Sequence, residues 1–134
     1  MILAIDDDPA RYEYLQRLLE GRVEVVVACC PACVSRLLPE ASAVLLDFDL
    51  NLEDSCTCGK PYAEYKQRSN TLPYVPAVAA RQVPVVVTSA SGSENIRALC
   101  QALRAANVRF GQYRACDTDP EYNWIGRLWV MGAL

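Results

Sequence analysis

The stretch Ala43–Leu50, AVLLDFDL, decides the fold. It is an apolar run too short for a packed helix, and it ends on two carboxylates, Asp47 and Asp49. A run of this kind predicts a strand covered on both faces, as in the interior of a parallel sheet. The same design occurs twice more. Met1–Ile5 runs directly into Asp6, Asp7 and Asp8, and Val85–Val87 runs into Thr88, Ser89, Ala90 and Ser91. Three apolar strands therefore deliver polar groups to one edge of one sheet. In open α/β sheets, ligands meet the protein beyond the C-terminal strand ends.

The segments between these strands carry helical signals. Asp8-Pro9 reads as an N-cap followed by proline at the first helical position. The helix is expected to reach about Glu20, with Tyr12, Leu15, Leu18 and Leu19 inward and Gly21 as its stop. Val23–Ala28 is a second strand, and Pro31 opens a short helix carrying Val34, Leu37 and Leu38 that Pro39 ends. Ser91-x-x-Glu94 has capping-box spacing, followed by Ile96, Leu99, Cys100 and Leu103 at helical intervals. Val108–Tyr113 is a weaker fifth strand, and Asp119-Pro120 opens a last helix with Ile125, Leu128 and Trp129 inward. The expectation is a single α/β domain over residues 1–134, a doubly wound five-stranded parallel sheet. Residues 51–82, rich in proline and poor in period until Val75–Ala80, read as an insert between the third and fourth strands.

Composition narrows the chemistry. The chain has 134 residues, enough for one ordinary core, with 52% hydrophobic and 22% charged residues. No apolar run is long enough to span a bilayer, and no basic stretch precedes an apolar one at the N-terminus, so a soluble, cytoplasmic protein with no membrane partner is expected. The net charge is −3 with no basic cluster, which argues against nucleic acid as a partner. There is no histidine. Imidazole bases, histidine triads and histidine metal ligands are thereby excluded, leaving carboxylates, hydroxyls, thiols and arginine.

Asp6, Asp7 and Asp47 stand at the ends of strands expected to be neighbours. Carboxylates held together repel unless a cation neutralises them, and an all-oxygen set suits Mg²⁺ or Mn²⁺. With such a cation present, a carboxylate can attack phosphorus while a hydroxyl and a positive side chain hold the phosphoryl oxygens. Ser89 offers the hydroxyl and Arg114, after the fifth strand, the positive charge. The plain alternative is that strand-end aspartates cap helices, as expected for Asp8.

ILAIDDDPAR, LLDFDL and PVVVTSAS resemble, in order and spacing, the receiver domain of bacterial response regulators over nearly the whole chain. That resemblance implies a flavodoxin-like topology, Asp6 and Asp7 as metal ligands, Asp47 as phosphoacceptor and Ser89 as switch hydroxyl. Arg114 stands where receivers carry lysine. DDDPAR, LLDFDL, the turn into the fourth helix and EYNWI also resemble the cyclic-phosphate-processing offshoot of receivers, with Asp49 and Asn95 as further matches. This second resemblance implies hydrolysis of a cyclic or nucleotide phosphate. The offshoot's usual histidines are replaced by Phe48 and by Thr88 or Ser89. Two classes of function follow: metal-dependent handling of a small phosphate compound or phosphodonor in signalling, or an inactive receiver-fold module that binds a protein partner.

Seven cysteines without a secretion signal point to reduced thiols or metal ligands. Cys30-x-x-Cys33 and Cys56-x-Cys58 offer four thiols to a structural zinc ion that would hold down the insert. The alternatives are a thiol-disulfide site at Cys30/Cys33 and, for Cys100, packing as a small hydrophobe. Tyr62, Tyr65 and Tyr74 in the insert read as tyrosines tucked under a solvated loop.

Overall fold

The computed structural model describes residues 1–50, 70–88, 92–112, 128 and 131–133. Five strands form one all-parallel sheet: β1 (Ile2–Ile5), β2 (Val25–Ala28), β3 (Ala43–Leu46), β4 (Val85–Val87) and β5 (Phe110–Gln112), in the order β2-β1-β3-β4-β5. This α/β arrangement, with β3 in the centre, has the strand order of flavodoxin-like folds. The residues explain it. Ile, Val and Leu fill the pleated positions, and the three inner strands β1, β3 and β4 are buried along their whole length.

Successive side chains leave a strand on opposite faces, so each inner strand contributes to two apolar clusters. Leu3, Ile5, Val44, Leu46, Val85 and Val87 belong to the larger one, with Val34, Val78, Leu99 and Leu103. Ile2, Ala4, Leu45 and Val86 belong to the other, with Tyr12, Leu15, Leu19 and Leu128. The helices are α1 (Glu13–Leu18), α2 (Pro31–Leu37), α3 (Val75–Arg81) and α4 (Ser93–Ala105). No helix among the described residues is long and apolar enough to cross a membrane.

Several boundaries differ from the expectation, each for a local reason. Asp8 does cap, accepting from the Ala10 N–H, but Pro9–Tyr12 forms a 3₁₀ turn before α1 begins. On α1 and its C-cap the buried face runs through Leu15 and Leu19, four residues apart, and Leu18 falls beyond its edge and is 45% exposed. At α4 the N-cap is Gly92, one residue beyond the Ser91 expected from the capping-box spacing. The described part of the presumed insert, residues 70–82, is ordinary crossover structure. A 3₁₀ turn at Leu72–Tyr74 leads into α3, and Tyr74, Val75 and Val78 are buried. Prolines at the first turns of these short helices, where no N–H is needed, disguise them as irregular chain. Gln82 then closes α3 in the left-handed region, φ 53°, before β4.

Leu45→Ala is expected to cost about 2–5 kcal/mol, because it empties a fully covered position on the central strand. Leu18→Ala is expected to stay within about 0.5 kcal/mol. Urea unfolding of both variants checks the assignment of the two positions.

Candidate functional site

The parallel register creates the site. Ile5 pairs with Leu46 and Leu46 with Val87, so the next residues, Asp6, Asp47 and Thr88, form a row past the C-terminal ends of β1, β3 and β4. The ladder continues one step into this row: Asp47 N–H donates to the Ile5 carbonyl at 3.1 Å and Thr88 N–H to the Leu46 carbonyl at 2.9 Å. Asp6, Asp47 and Thr88 are all buried, whereas Asp7 is half-buried. One carboxylate oxygen from each of Asp6, Asp7 and Asp47 lies within 4.8 Å of the others. The expected acidic trio is thus brought together.

Burying a carboxylate is unfavourable unless donors surround it. Asp6 has three kinds. Its Oδ1 accepts the Asp8 N–H at 3.0 Å, and its Oδ2 accepts the Tyr12 hydroxyl at 2.5 Å and Arg11 Nη1 at 2.7 Å. Arg11 Nη1 is also 3.5 Å from Asp47 Oδ1, and Nη2 donates to the Thr88 carbonyl. The Tyr12 hydroxyl lies 3.1 Å from Thr88 Oγ1. The Asp8-Pro9 turn makes this geometry available, since it folds the chain back so that residues five and six positions after Asp6 face it. On the other side of Asp47, the buried Thr71 hydroxyl donates to the Asp47 carbonyl at 2.5 Å and Thr71 N–H to the Phe48 carbonyl at 2.9 Å. Thr71 therefore pins the backbone that carries the central carboxylate.

The electrostatics follow from this packing. Burial, and then the nearby Asp47 charge, raise the Asp6 carboxyl from 3.8 to about 7, although Arg11 and the Tyr12 and Asp8 hydrogen bonds oppose the shift. Burial and the Asp6 charge push the Tyr12 phenol well above its ordinary value, which keeps it a donor.

The remaining expected residues are distributed as follows. Asp49 lies outside the acidic trio and forms an antiparallel bridge with Asn70. Asn95 is half-buried on the first turn of α4. Phe48, at one position where the processing offshoot carries histidine, is buried in the larger apolar cluster. Ser89, Arg114, Cys56, Cys58, Tyr62 and Tyr65 lie outside the described residues. Cys30 and Cys33 are buried, and Cys33 N–H faces Cys30 Sγ at 3.4 Å. Tyr74 is tucked in, its hydroxyl donating to the Cys29 carbonyl at 2.8 Å.

Arg11, Tyr12 and Thr71 were not among the expected site residues. For Arg11 a signal existed: it closes the DDDPAR turn, three residues after the last aspartate, and the fold-back of that turn brings it to the acids. Tyr12 was read as core, which it also is. Thr71 had no signal, because its partner lies 24 residues away. Among the described residues, Arg11 is the cation paired with Asp6 and Asp47. No protein-family model matches the chain, and no curated protein matches it.

In metal-free buffer, folded Asp6 holds its proton up to about pH 7 whereas the unfolded chain releases it near 4. The folded state then binds the extra proton, so stability is expected to fall as pH rises from about 4 to about 7 and to level above that. The slope from this group approaches about 1.4 kcal/mol per pH unit, and Asp6→Asn should remove it. Denaturant midpoints across that range test this. Tyr12→Phe leaves two buried oxygens short of a partner and is expected to cost about 1–3 kcal/mol in the same assay at pH 7.

Proposed function

We propose that this chain is a receiver-like domain that handles phosphate with the help of a divalent metal, Asp47 being the residue that accepts the phosphoryl group. The observation that carries the proposal is the gathering of Asp6, Asp7 and Asp47 within 4.8 Å, at the ends of adjacent parallel strands. Three carboxylates with two of them buried and only oxygen donors fit Mg²⁺ or Mn²⁺. Asp6, Asp7 and Asp47 would hold the ion, which when bound neutralises carboxylates and phosphoryl oxygens alike.

The chain's own groups do the rest. An Asp47 carboxylate oxygen forms the new bond to phosphorus as the bond to the donor's leaving oxygen breaks, the electron pair departing with that oxygen. A partly exposed Arg11, 3.5 Å from Asp47 Oδ1, offers N–H groups to the phosphoryl oxygens. Thr71 fixes the backbone of Asp47 and so the direction of attack. Ser89, Asn95, Asp49 and Arg114 keep in this reading the supporting roles that the resemblance assigns them. Transfer onward to water would make the same site a hydrolase of a cyclic or nucleotide phosphate.

One observation favours a second reading. Arg11 pairs with Asp6 and Asp47, so the chain itself supplies a counter-charge to the acids, which suits an inactive module of the same fold. Such a module would bind a protein partner, and Cys30 and Cys33 with Cys56 and Cys58 would supply its structural zinc.

Incubation with a small acyl phosphate and Mg²⁺ separates the readings. The expected result is the mass gain of one phosphoryl group by intact mass spectrometry, lost with a chelator and in Asp47→Asn. Phosphate release that disappears in Asp6→Ala, without a stable mass gain, would identify the hydrolase. Neither modification nor turnover would leave the interaction module.

A further inference from the structure

Arg11 occupies an unusual position for a surface arginine. Its guanidinium joins three strand ends at once: Asp6 after β1 at 2.7 Å, Asp47 after β3 at 3.5 Å, and the carbonyl of Thr88 after β4. The same nitrogen, Nη1, faces both carboxylates. A Mg²⁺ ion bound by Asp6 and Asp47 at about 2.0–2.1 Å from each would need the space that this nitrogen now fills. The lone pairs compete as well. Asp6 Oδ2 already accepts from Tyr12 and from Arg11, so a cation on that oxygen must remove a donor. Tyr12 is fully buried and cannot leave, whereas the Arg11 side chain is 24% exposed and has solvent beside it.

We infer that Arg11 is a displaceable internal counter-ion: a divalent cation entering between Asp6 and Asp47 expels the guanidinium and frees the Thr88 carbonyl. The inference rests on the metal-binding reading above and adds its regulation. A double charge in place of a single one offsets the lost ion pair, so exchange is favourable once the metal is present in sufficient concentration. Because one side chain holds both the acids and the end of β4, metal occupancy is transmitted from β1 and β3 to β4. A positioning role of this kind differs from simple charge balance. If Arg11 only balanced charge, it would stay in place beside the bound ion.

Calorimetric titration of the full chain with Mg²⁺, together with NMR spectra of the same samples, tests this. Arg11→Ala is expected to bind Mg²⁺ at least about tenfold more tightly than the wild type, the equivalent of 1.4 kcal/mol. In the wild type, Mg²⁺ is expected to move the Thr88 carbonyl ¹³C signal. It should also convert the Arg11 guanidinium from restricted to free rotation about its Cζ–Nε bond. Saturable binding with both signals unmoved would overturn the displacement while leaving the metal site intact. Absence of binding to wild type and Arg11→Ala alike would overturn the metal reading itself, and the displacement with it. If Arg11→Ala does not fold, the wild-type spectra decide the question alone, and the uncharged, apolar Arg11→Met replaces it in the titration.

Discussion

A carboxylate placed in the interior of a protein must be given donors, and here the buried Asp6 gathers the rest of the site around itself. Its two oxygens take a backbone N–H from Asp8, the phenol of Tyr12 and the guanidinium of Arg11. Each of those donors is itself anchored elsewhere. Tyr12 fills the smaller apolar cluster, and Arg11 reaches on to Asp47 and Thr88. The segment between β1 and α1 therefore serves as core, as helix start and as site wall at once. Consecutive residues Arg11 and Tyr12 close its 3₁₀ turn, and both reach the same oxygen of Asp6.

The sheet makes such a centre possible. Five parallel strands with short, fully apolar inner members end at a common edge, where the ladder runs one residue past the strands and sets Asp6, Asp47 and Thr88 side by side. Carboxylates so close, with Asp6 drawn toward its neutral form by burial, favour positive charge beside them when both are ionised. A guanidinium from the chain and a divalent cation from solution are two solutions to that one electrostatic problem. The proposed function and the proposed displacement of Arg11 are readings of the choice between them.

Much of this was legible along the chain. The apolar runs ending in polar residues marked the inner strands, the Asp8 cap and the apolar face of α4 were read from spacing, and the acidic trio followed from strand ends. What failed did so where periodicity is a poor guide. Leu18 sat at helical spacing from Leu15, but the buried face of α1 runs through Leu15 and Leu19 and leaves Leu18 exposed at its edge. The period at Val75–Ala80 did mark α3, but Pro73 and Pro76 concealed the 3₁₀ turn leading into it and its start, because proline at a helix start looks the same in sequence as proline in a loop. Arginine at position 11 was given no role along the chain; the turn after β1 brings it back over Asp6.

The sequence by itself determined the alternation of strands and helices, the absence of imidazole chemistry and the oxygen-donor character of the site, since these depend on residue type and local spacing. The register that sets Asp6, Asp47 and Thr88 in one row, the closure of Arg11 and Tyr12 over Asp6, and the support of Asp47 by Thr71 were decided by the tertiary structure alone. Strand order and register are set by how two faces of a sheet bury their side chains together, and no local pattern encodes which distant strand will lie alongside.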